Sequence, residues 1–129
     1  MPEIELANEW RRFARMDLDA ALFLQGFHPV PIEIICFHCQ QAGEKALKAV
    51  LVYHGEEVPY IHDTLKLWEL ASDLEPALSN LKAQADRLKK YATTARYPNE
   101  SQIAEADMKQ ALKDAQAIVE AVEALWKEA

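Results

Sequence analysis

Residues 32–54 read IEIICFHCQQAGEKALKAVLVYH, and this segment has a clear helical pattern. Apolar side chains recur in it at steps of three and four residues, which is the period of an α-helix that buries one face. The apolar face is broad and consists of Ile35, Cys39, Ala42, Ala46, Leu47, Val50 and Leu51. This width predicts a central helix that other helices contact on more than one side.

The rest of the chain repeats this helical period and contains few glycines. Asp63 is a good N-cap, Pro76 is suited to a first helical turn, and Asn99 or Ser101 is expected to cap the final helix. We expect helices at residues 4–25, 32–54, 64–71 and 76–97, and a long final helix with an apolar face between Met108 and Trp126. Residues 1–129 are therefore predicted to form one all-α domain, an antiparallel up-and-down four-helix bundle with one additional short helix.

Composition narrows the classes of function. The chain has a net charge of −7, which argues against a protein that coats duplex DNA by neutralising its phosphates. It contains no run of about 18 apolar residues and no basic, then apolar, leader at its start, so we expect no membrane span and a cytoplasmic location.

Charge is distributed unevenly along the chain. Residues 82–96 carry five cations and one carboxylate, Asp86. A charge run on a helix is most often a solvated face, and a local anion site is the alternative.

Two cysteines, Cys36 and Cys39, have the C-x-x-C spacing. The chain has no second cysteine pair to complete a zinc site, and no strand is predicted before the motif as a thioredoxin-like site requires. Two small apolar residues three positions apart on a helix are most simply core residues. We therefore expect no metal and no cofactor.

The segment Ala95-Arg96-Tyr97-Pro98 interrupts the helical pattern, because Pro98 cannot continue a helix. Arg96 and Tyr97 are therefore predicted to lie at the C-terminal end of the fourth helix. A guanidinium there can bind phosphate, and it can equally complement the negative end of the helix dipole.

Four segments together resemble the HEPN family (higher eukaryotes and prokaryotes nucleotide-binding). Residues 39–49, CQQAGEKALKA, are similar to the second-helix signature of the family, and residues 10–21 to its opening helix. His62-Asp63-Thr64-Leu65 resembles its His-Asp-x-Leu loop, and Ala95-Arg96-Tyr97-Pro98-Asn99 resembles its Ala-Arg-Tyr-Pro-Asp motif. The resemblance spans essentially the whole chain.

The resemblance implies a small helical bundle that is often dimeric. It also implies a partner, a minimal nucleotidyltransferase, commonly in a two-gene toxin–antitoxin module. Many members are metal-independent ribonucleases that use an Arg followed, after four to six residues, by a His. Here Ser101, Gln102 and Ile103 occupy the positions where that histidine should follow Arg96, and no histidine follows His62. We therefore assign no catalytic residue and lean against an enzyme.

The leading hypothesis is a protein that binds nucleotide or RNA phosphate. Arg96 would bind phosphate in bidentate fashion and Tyr97 would stack on a base. The complete set of predicted ligand-binding residues is Arg96, Tyr97, Lys45, Lys48, Gln41 and His62. The predicted structural partners are Asp17, Glu44 and Asp63.

Two alternatives remain open. In a purely structural interaction module, Arg96 would pair with Asp17 or Glu44. Asp17 lies within the apolar stripe of the first helix, so it needs a polar partner in either case. In a metal-independent ribonuclease, Arg96 would stabilise the transition state. Trp68 and Phe27 are expected to be exposed, and together with the broad apolar faces they favour a homodimer.

Overall fold

The computed structural model describes residues 2–93 and 102–127, and all regular structure within them is helical. The α-helices are α1 (Pro2–Leu24), α2 (Ile32–Tyr53), α3 (Thr64–Leu74), α4 (Lys82–Lys89) and α5 (Glu105–Glu123). Two 3₁₀-helices, Pro76–Leu81 and Lys90–Ala92, flank α4. The prediction of an all-α protein is confirmed.

Local chemistry explains where α2 ends and α3 begins. Gly55 adopts a left-handed conformation with φ of 76°, and the Glu56 N–H donates to the Leu51 carbonyl, which closes the last turn of α2. The Asp63 carboxylate accepts a hydrogen bond of 3.1 Å from the Lys66 N–H and thus caps α3. The predicted N-cap is confirmed.

The predicted fourth helix is not one continuous α-helix. Its first part is a 3₁₀-helix, in which the buried Leu78 and Leu81 are three residues apart and so fall on one face. Only Lys82–Lys89 is α-helical, and Thr93 forms a turn after the second 3₁₀-helix. The predicted continuation to Tyr97 falls on residues 94–101, which lie outside the described part of the chain.

The predicted cap of the last helix is wrong. Helix α5 begins at Glu105, with Ala104 at the N-cap position, so neither Asn99 nor Ser101 can cap it. The Asp107 carboxylate compensates, because it accepts a hydrogen bond of 2.9 Å from the Ala104 N–H.

Helix α2 is central, as its broad apolar face predicted. It contacts α1, α3, α4 and α5. Helix α1 runs antiparallel to α2, since Trp10 lies near Lys48 while Asp17 lies near His38 and Lys45. The full up-and-down arrangement of four helices stays a prediction.

The surface expectations are only partly met. Phe27 is 60% exposed, but Trp68 is partly buried and its indole N–H donates to the Leu78 carbonyl at 2.7 Å, so the expectation for Trp68 is wrong. No helix in the described part of the chain is both long and apolar enough to cross a bilayer.

Cys36 and Cys39 are fully buried core residues. Burial raises the pKa of the Cys36 thiol to about 12 and raises that of Cys39 further. Both thiols therefore stay protonated and unreactive near neutral pH, since the thiolate is the reactive form.

The burial of the core residues predicts how substitutions change the free energy of unfolding. Replacing Leu47, which is fully buried in α2, by alanine should lower the free energy of unfolding by about 2–5 kcal/mol, because it leaves a cavity. Leu22→Ala, at a position 36% exposed, is the matched control and should cost less than about 1 kcal/mol. Urea unfolding followed by circular dichroism measures both, and equal losses would contradict the assigned core.

Candidate functional site

Two lysines of the predicted ligand site, Lys45 and Lys48, lie on α2, and both have carboxylate partners. Lys45 Nζ lies 2.6 Å from Asp17 Oδ2, and Lys48 Nζ lies 2.8 Å from Glu44 Oε2. The Lys48 and Glu44 side chains are only 8% and 5% exposed. These lysines therefore neutralise buried or half-buried carboxylates and do not stand as free charges toward solvent.

Asp17 has two partners rather than one. Besides Lys45, it contacts His38, whose Nδ1 lies 2.9 Å from Asp17 Oδ1. Asp17 thus has polar partners on α2, and its ion pair with Lys45 joins α1 to α2. Sequence reasoning missed His38, although Asp17 in an apolar stripe signalled that some partner had to exist.

Glu44 is the centre of a buried polar cluster. Gln40 Nε2 donates to Glu44 Oε1 at 3.0 Å, Lys48 donates to Oε2, and His62 Nδ1 lies 3.2 Å from both oxygens. Burial alone would raise the pKa of Glu44, but the hydrogen bonds from Lys48, Gln40 and His62 outweigh it and hold the pKa below its usual value. Glu44 is therefore a carboxylate at neutral pH.

His62 joins this cluster to the surface. Its side chain is 61% exposed even though Nδ1 lies against the buried Glu44. When Nδ1 carries the proton and donates to Glu44, the other ring nitrogen of a neutral imidazole is an acceptor. The ring is thus held at Nδ1 by Glu44, while most of the side chain is open to solvent.

Gln40 and Gln41 fix the loop that carries His62. Gln40 is fully buried, and its Nε2 also donates to the His62 carbonyl at 3.0 Å. Gln41 in turn donates to Gln40 Oε1 at 2.7 Å. Gln41 thus contributes to the predicted site by orienting Gln40.

The same loop contacts the helix that leads to Arg96. Lys89 Nζ at the end of α4 lies 3.4 Å from Asp63 Oδ2, and Thr64 Oγ1 donates to the Ala85 carbonyl at 2.7 Å. Arg96 and Tyr97 follow Thr93 by three and four residues and lie outside the described part of the chain. The structure therefore unites Glu44, Lys48, Gln41, His62 and Asp63 in one region and places Lys45 with Asp17 beside it.

The cation-rich segment 82–96 is partly used in packing. Arg87 makes two hydrogen bonds, of 2.9 and 2.8 Å, to the Asp114 carboxylate, whose side chain is 2% exposed. This pair ties α4 to α5. Lys89 likewise contacts Asp63, so both cations have carboxylate partners, which neither a purely solvated face nor a local anion site predicted.

A second group of cations, three arginines of α1 and Lys127, was not singled out from the sequence. Arg11, Arg12, Arg15 and Lys127 line a cavity of about 420 Å³ beside Trp126. Arg11 donates to the Trp126 carbonyl at 2.6 Å, and Arg15 Nε donates to the Glu123 carboxylate at 2.9 Å. These arginines hold α1 against the C-terminal end of α5.

Comparison with known protein families identifies the family. The family model for the HEPN domain matches residues 7–125, which is nearly the whole chain. The chain belongs to the HEPN family. A crystal structure of TT1696 from Thermus thermophilus is similar to it, with 31% identity and a TM-score of 0.77 over 92% of this chain and 96% of that one. No curated protein matches the chain.

The HEPN resemblance noted in the sequence is therefore confirmed. Within the described residues, the HEPN domain places its second-helix signature and its His-Asp-x-Leu loop in contact, through Glu44 and His62. It places no group of three metal-ligating side chains together there.

The Glu44 cluster predicts a pH-dependent stability. Glu44→Gln removes the charge but keeps the shape, so it leaves the Lys48 ammonium buried without a counter-ion and should cost about 3 kcal/mol at pH 7. Because folding lowers the pKa of Glu44 below 4.5, its stabilising effect is present above that pH and is lost as the pH falls through the folded-state pKa. The difference in free energy of unfolding between the wild type and Glu44→Gln should therefore become smaller in acid.

Urea unfolding at pH 7 and in the acid range measures this gap. Glu69→Gln is the control, because the Glu69 side chain is 50% exposed and its Oε2 makes a long contact, 3.5 Å, with Lys66 Nζ. This substitution should lower the free energy of unfolding by less than about 1 kcal/mol. A Glu44→Gln gap that stays constant with pH would contradict the assigned ionisation.

Proposed function

We propose that this HEPN domain binds nucleotide or RNA phosphate at the surface formed by the His62 loop and the segment containing Arg96. The observation that carries the proposal is the geometry of His62. Its imidazole is fixed at Nδ1 by a buried carboxylate, yet 61% of the side chain is exposed. A side chain held in one orientation binds a ligand with little loss of conformational entropy.

The proposal gives the predicted residues different roles. His62 contacts the ligand, while Glu44, Lys48, Gln41 and Gln40 position it. Arg96 supplies a bidentate donor for phosphate and Tyr97 a face for base stacking. Lys45 contributes by neutralising Asp17, so that no unpaired carboxylate repels the phosphate from that side.

The proposed activity is binding without catalysis, in a cytoplasmic protein. The sequence lacks the Arg-x4-6-His spacing, because Arg87 and Arg96 follow the last histidine, His62. The three arginines of α1 lie more than ten residues before the first histidine, His28. The HEPN family supports a minimal nucleotidyltransferase as the partner, in a module of the toxin–antitoxin type. The opposite direction of α1 to α2 is in keeping with the up-and-down four-helix bundle, which forms part of the proposal.

A second candidate function is a pure interaction module. It is favoured by the exposed large apolar side chains of α1, among them Phe13 at 45% and Met16 at 55%. Such side chains on a helix surface mark a site for another protein. In this case the Glu44 cluster would only fix the loop.

Binding predicts a selective effect of substitutions near the His62 loop. Arg96→Ala and His62→Gln should each weaken binding of ATP and of short single-stranded RNA by about tenfold or more, because each removes a hydrogen bond to a charged group. Isothermal titration calorimetry measures the change. His54→Gln is the control, since His54 also contacts a carboxylate, Glu75 at 2.9 Å, but lies outside the proposed site.

Four results would redirect the assignment. No detectable heat with either ligand, or equal effects of His54→Gln and His62→Gln, would favour the interaction module. A sharp fall in stability of Arg96→Ala without a change in ligand binding would also favour it. Cleavage of labelled RNA without metal, lost in Arg96→Ala, would identify a ribonuclease instead.

The partner can be tested directly. A small nucleotidyltransferase with a Gly-Ser and paired-Asp motif, encoded beside this protein, should co-purify with it after co-expression. A nucleotidyltransferase of another family, expressed in the same way, is the control. Failure of the neighbouring protein to co-purify, or equal recovery of the control, would contradict the partnership.

A further inference from the structure

Helices α2 and α3 end beside each other. Leu51, near the end of α2, lines a cavity of about 260 Å³ together with Leu70 and Leu74, at the end of α3. The residues that follow the two helices are also in contact, because His54 Nε2 lies 2.9 Å from Glu75 Oε1. The C-termini of α2 and α3 therefore meet at one place on the surface.

Carboxylates surround the apolar side chains at this place. Glu56, Glu57 and Asp73 line the same cavity, and all three are exposed. None of these three side chains has a hydrogen bond or an ion pair with any residue in the described part of the chain. They are therefore available to a partner.

A second cavity, of about 270 Å³, adjoins the first and shares Glu56 with it. It is lined by one further carboxylate, Glu3 of α1, and by the apolar side chains of Leu6, Val52 and Val58. We call the two cavities together the acidic groove. Among residues 2–93 and 102–127, those that line the acidic groove include no lysine, arginine or histidine.

The charges of the acidic groove are the reverse of what the ends of helices favour. The C-terminus of an α-helix is the negative end of its dipole, so a nearby cation stabilises it and a carboxylate destabilises it. Neither α2 nor α3, each described over its full length, has a basic residue in its last turn. Asp73 lies in the last turn of α3, and Glu56 and Glu57 closely follow the end of α2. Such a local conflict is expected where a surface serves binding rather than stability.

We propose that the acidic groove is a docking surface for a basic amphipathic segment of another protein. Apolar side chains of that segment pack on the leucines and valines of the groove. Its arginine or lysine side chains pair with Glu56, Glu57 and Asp73 and also interact favourably with both helix ends. The inference does not depend on the proposed ligand site, because His62 precedes α3 and the acidic groove lies at the opposite end of that helix.

A protein segment fits the acidic groove better than a metal ion or a small molecule does. No three metal-ligating side chains converge within the residues that the structure describes, so these carboxylates do not form an ion site. Each cavity is smaller than the roughly 300–1,000 Å³ typical of small-molecule pockets. The two cavities together extend from α1 to α3, so separate side chains of one segment can occupy them.

The first test uses the full chain and a labelled helical peptide that has leucines on one face and arginines beside them. Fluorescence anisotropy should show binding in the micromolar range. Replacing the arginines of the peptide by citrulline, which removes the charge and keeps the shape, should weaken binding by about tenfold or more, and so should replacing its leucines by serine. Absence of binding, equal binding of the citrulline peptide, or full displacement by an equal concentration of spermidine would each overturn the proposal.

The second test locates the binding surface. Glu57→Gln combined with Asp73→Asn should weaken peptide binding by about fivefold or more, because two charge pairs are lost. The matched control is Glu33→Gln combined with Glu105→Gln, which removes the same charge from the first turns of α2 and α5 and should change binding less than about twofold. Equal effects of the two double variants would mean that only the net charge of −7 attracts the peptide, and would overturn the proposal.

The third test separates binding from folding. The variant Glu57→Gln with Asp73→Asn should have a higher urea midpoint than the wild type, because it removes unpaired carboxylates from two helix C-termini. Its loss of peptide binding then cannot come from unfolding. The control variant should have a slightly lower midpoint, since carboxylates stabilise the first turn of a helix. A lower midpoint for Glu57→Gln with Asp73→Asn would show that these carboxylates stabilise the fold and would overturn the proposal.

Discussion

The constraint on which the other features depend is the burial of the Glu44 carboxylate inside a helical domain. A buried charge is costly unless it is paired and hydrogen-bonded, so each donor around it must be held in place. Lys48 and Gln40 belong to the same helix and approach from one turn away on either side. The remaining contact comes from His62, so the charge also determines where the loop between α2 and α3 runs.

That loop in turn sets the position of the elements after it. Gln40 holds the His62 backbone, Asp63 caps α3, and Thr64 is buried against the Ala85 carbonyl of α4. A few consecutive residues therefore connect α2, α3 and α4. Substituting any of them disturbs both the packing of these helices and the exposed edge of His62, so binding and stability have to be measured together.

The sequence predicted the helices because apolar side chains that recur about every 3.6 residues can be recognised from their spacing alone. It also predicted the cap at Asp63 and the need of Asp17 for a partner, since both follow from local chemistry. It failed to predict the 3₁₀-helix before α4, because the same residue spacing fits two kinds of helix. The steps between Leu78, Leu81 and Ala85 fit an α-helix, but the first is also the period of a 3₁₀-helix, and only packing decides between them.

The candidate site was harder to predict because its chemistry depends on pairing in three dimensions. Lys45 and Lys48 have the spacing of a cationic row, and nothing in their spacing shows that Asp17 and Glu44 neutralise them. The contact of His38 was not predicted either, because its partner Asp17 lies on another helix. A row of lysines on a helix is evidence for a phosphate site only after its carboxylate partners have been found.

Charge pairing also explains how a chain with a net charge of −7 can offer a site to an anion. The potential at a binding surface is set mainly by charges within a Debye length of about 8 Å at physiological salt. Glu44, which contacts His62, and the adjacent Asp63 each have a lysine partner. These two pairs add no net charge beside His62. In the proposed site the positive charge that an anion needs comes from Arg96, whatever the total charge of the protein. In such a domain the selectivity for anions would then reside in the few residues of one loop region, and the remaining acidic surface would exclude duplex nucleic acid from the rest of the domain.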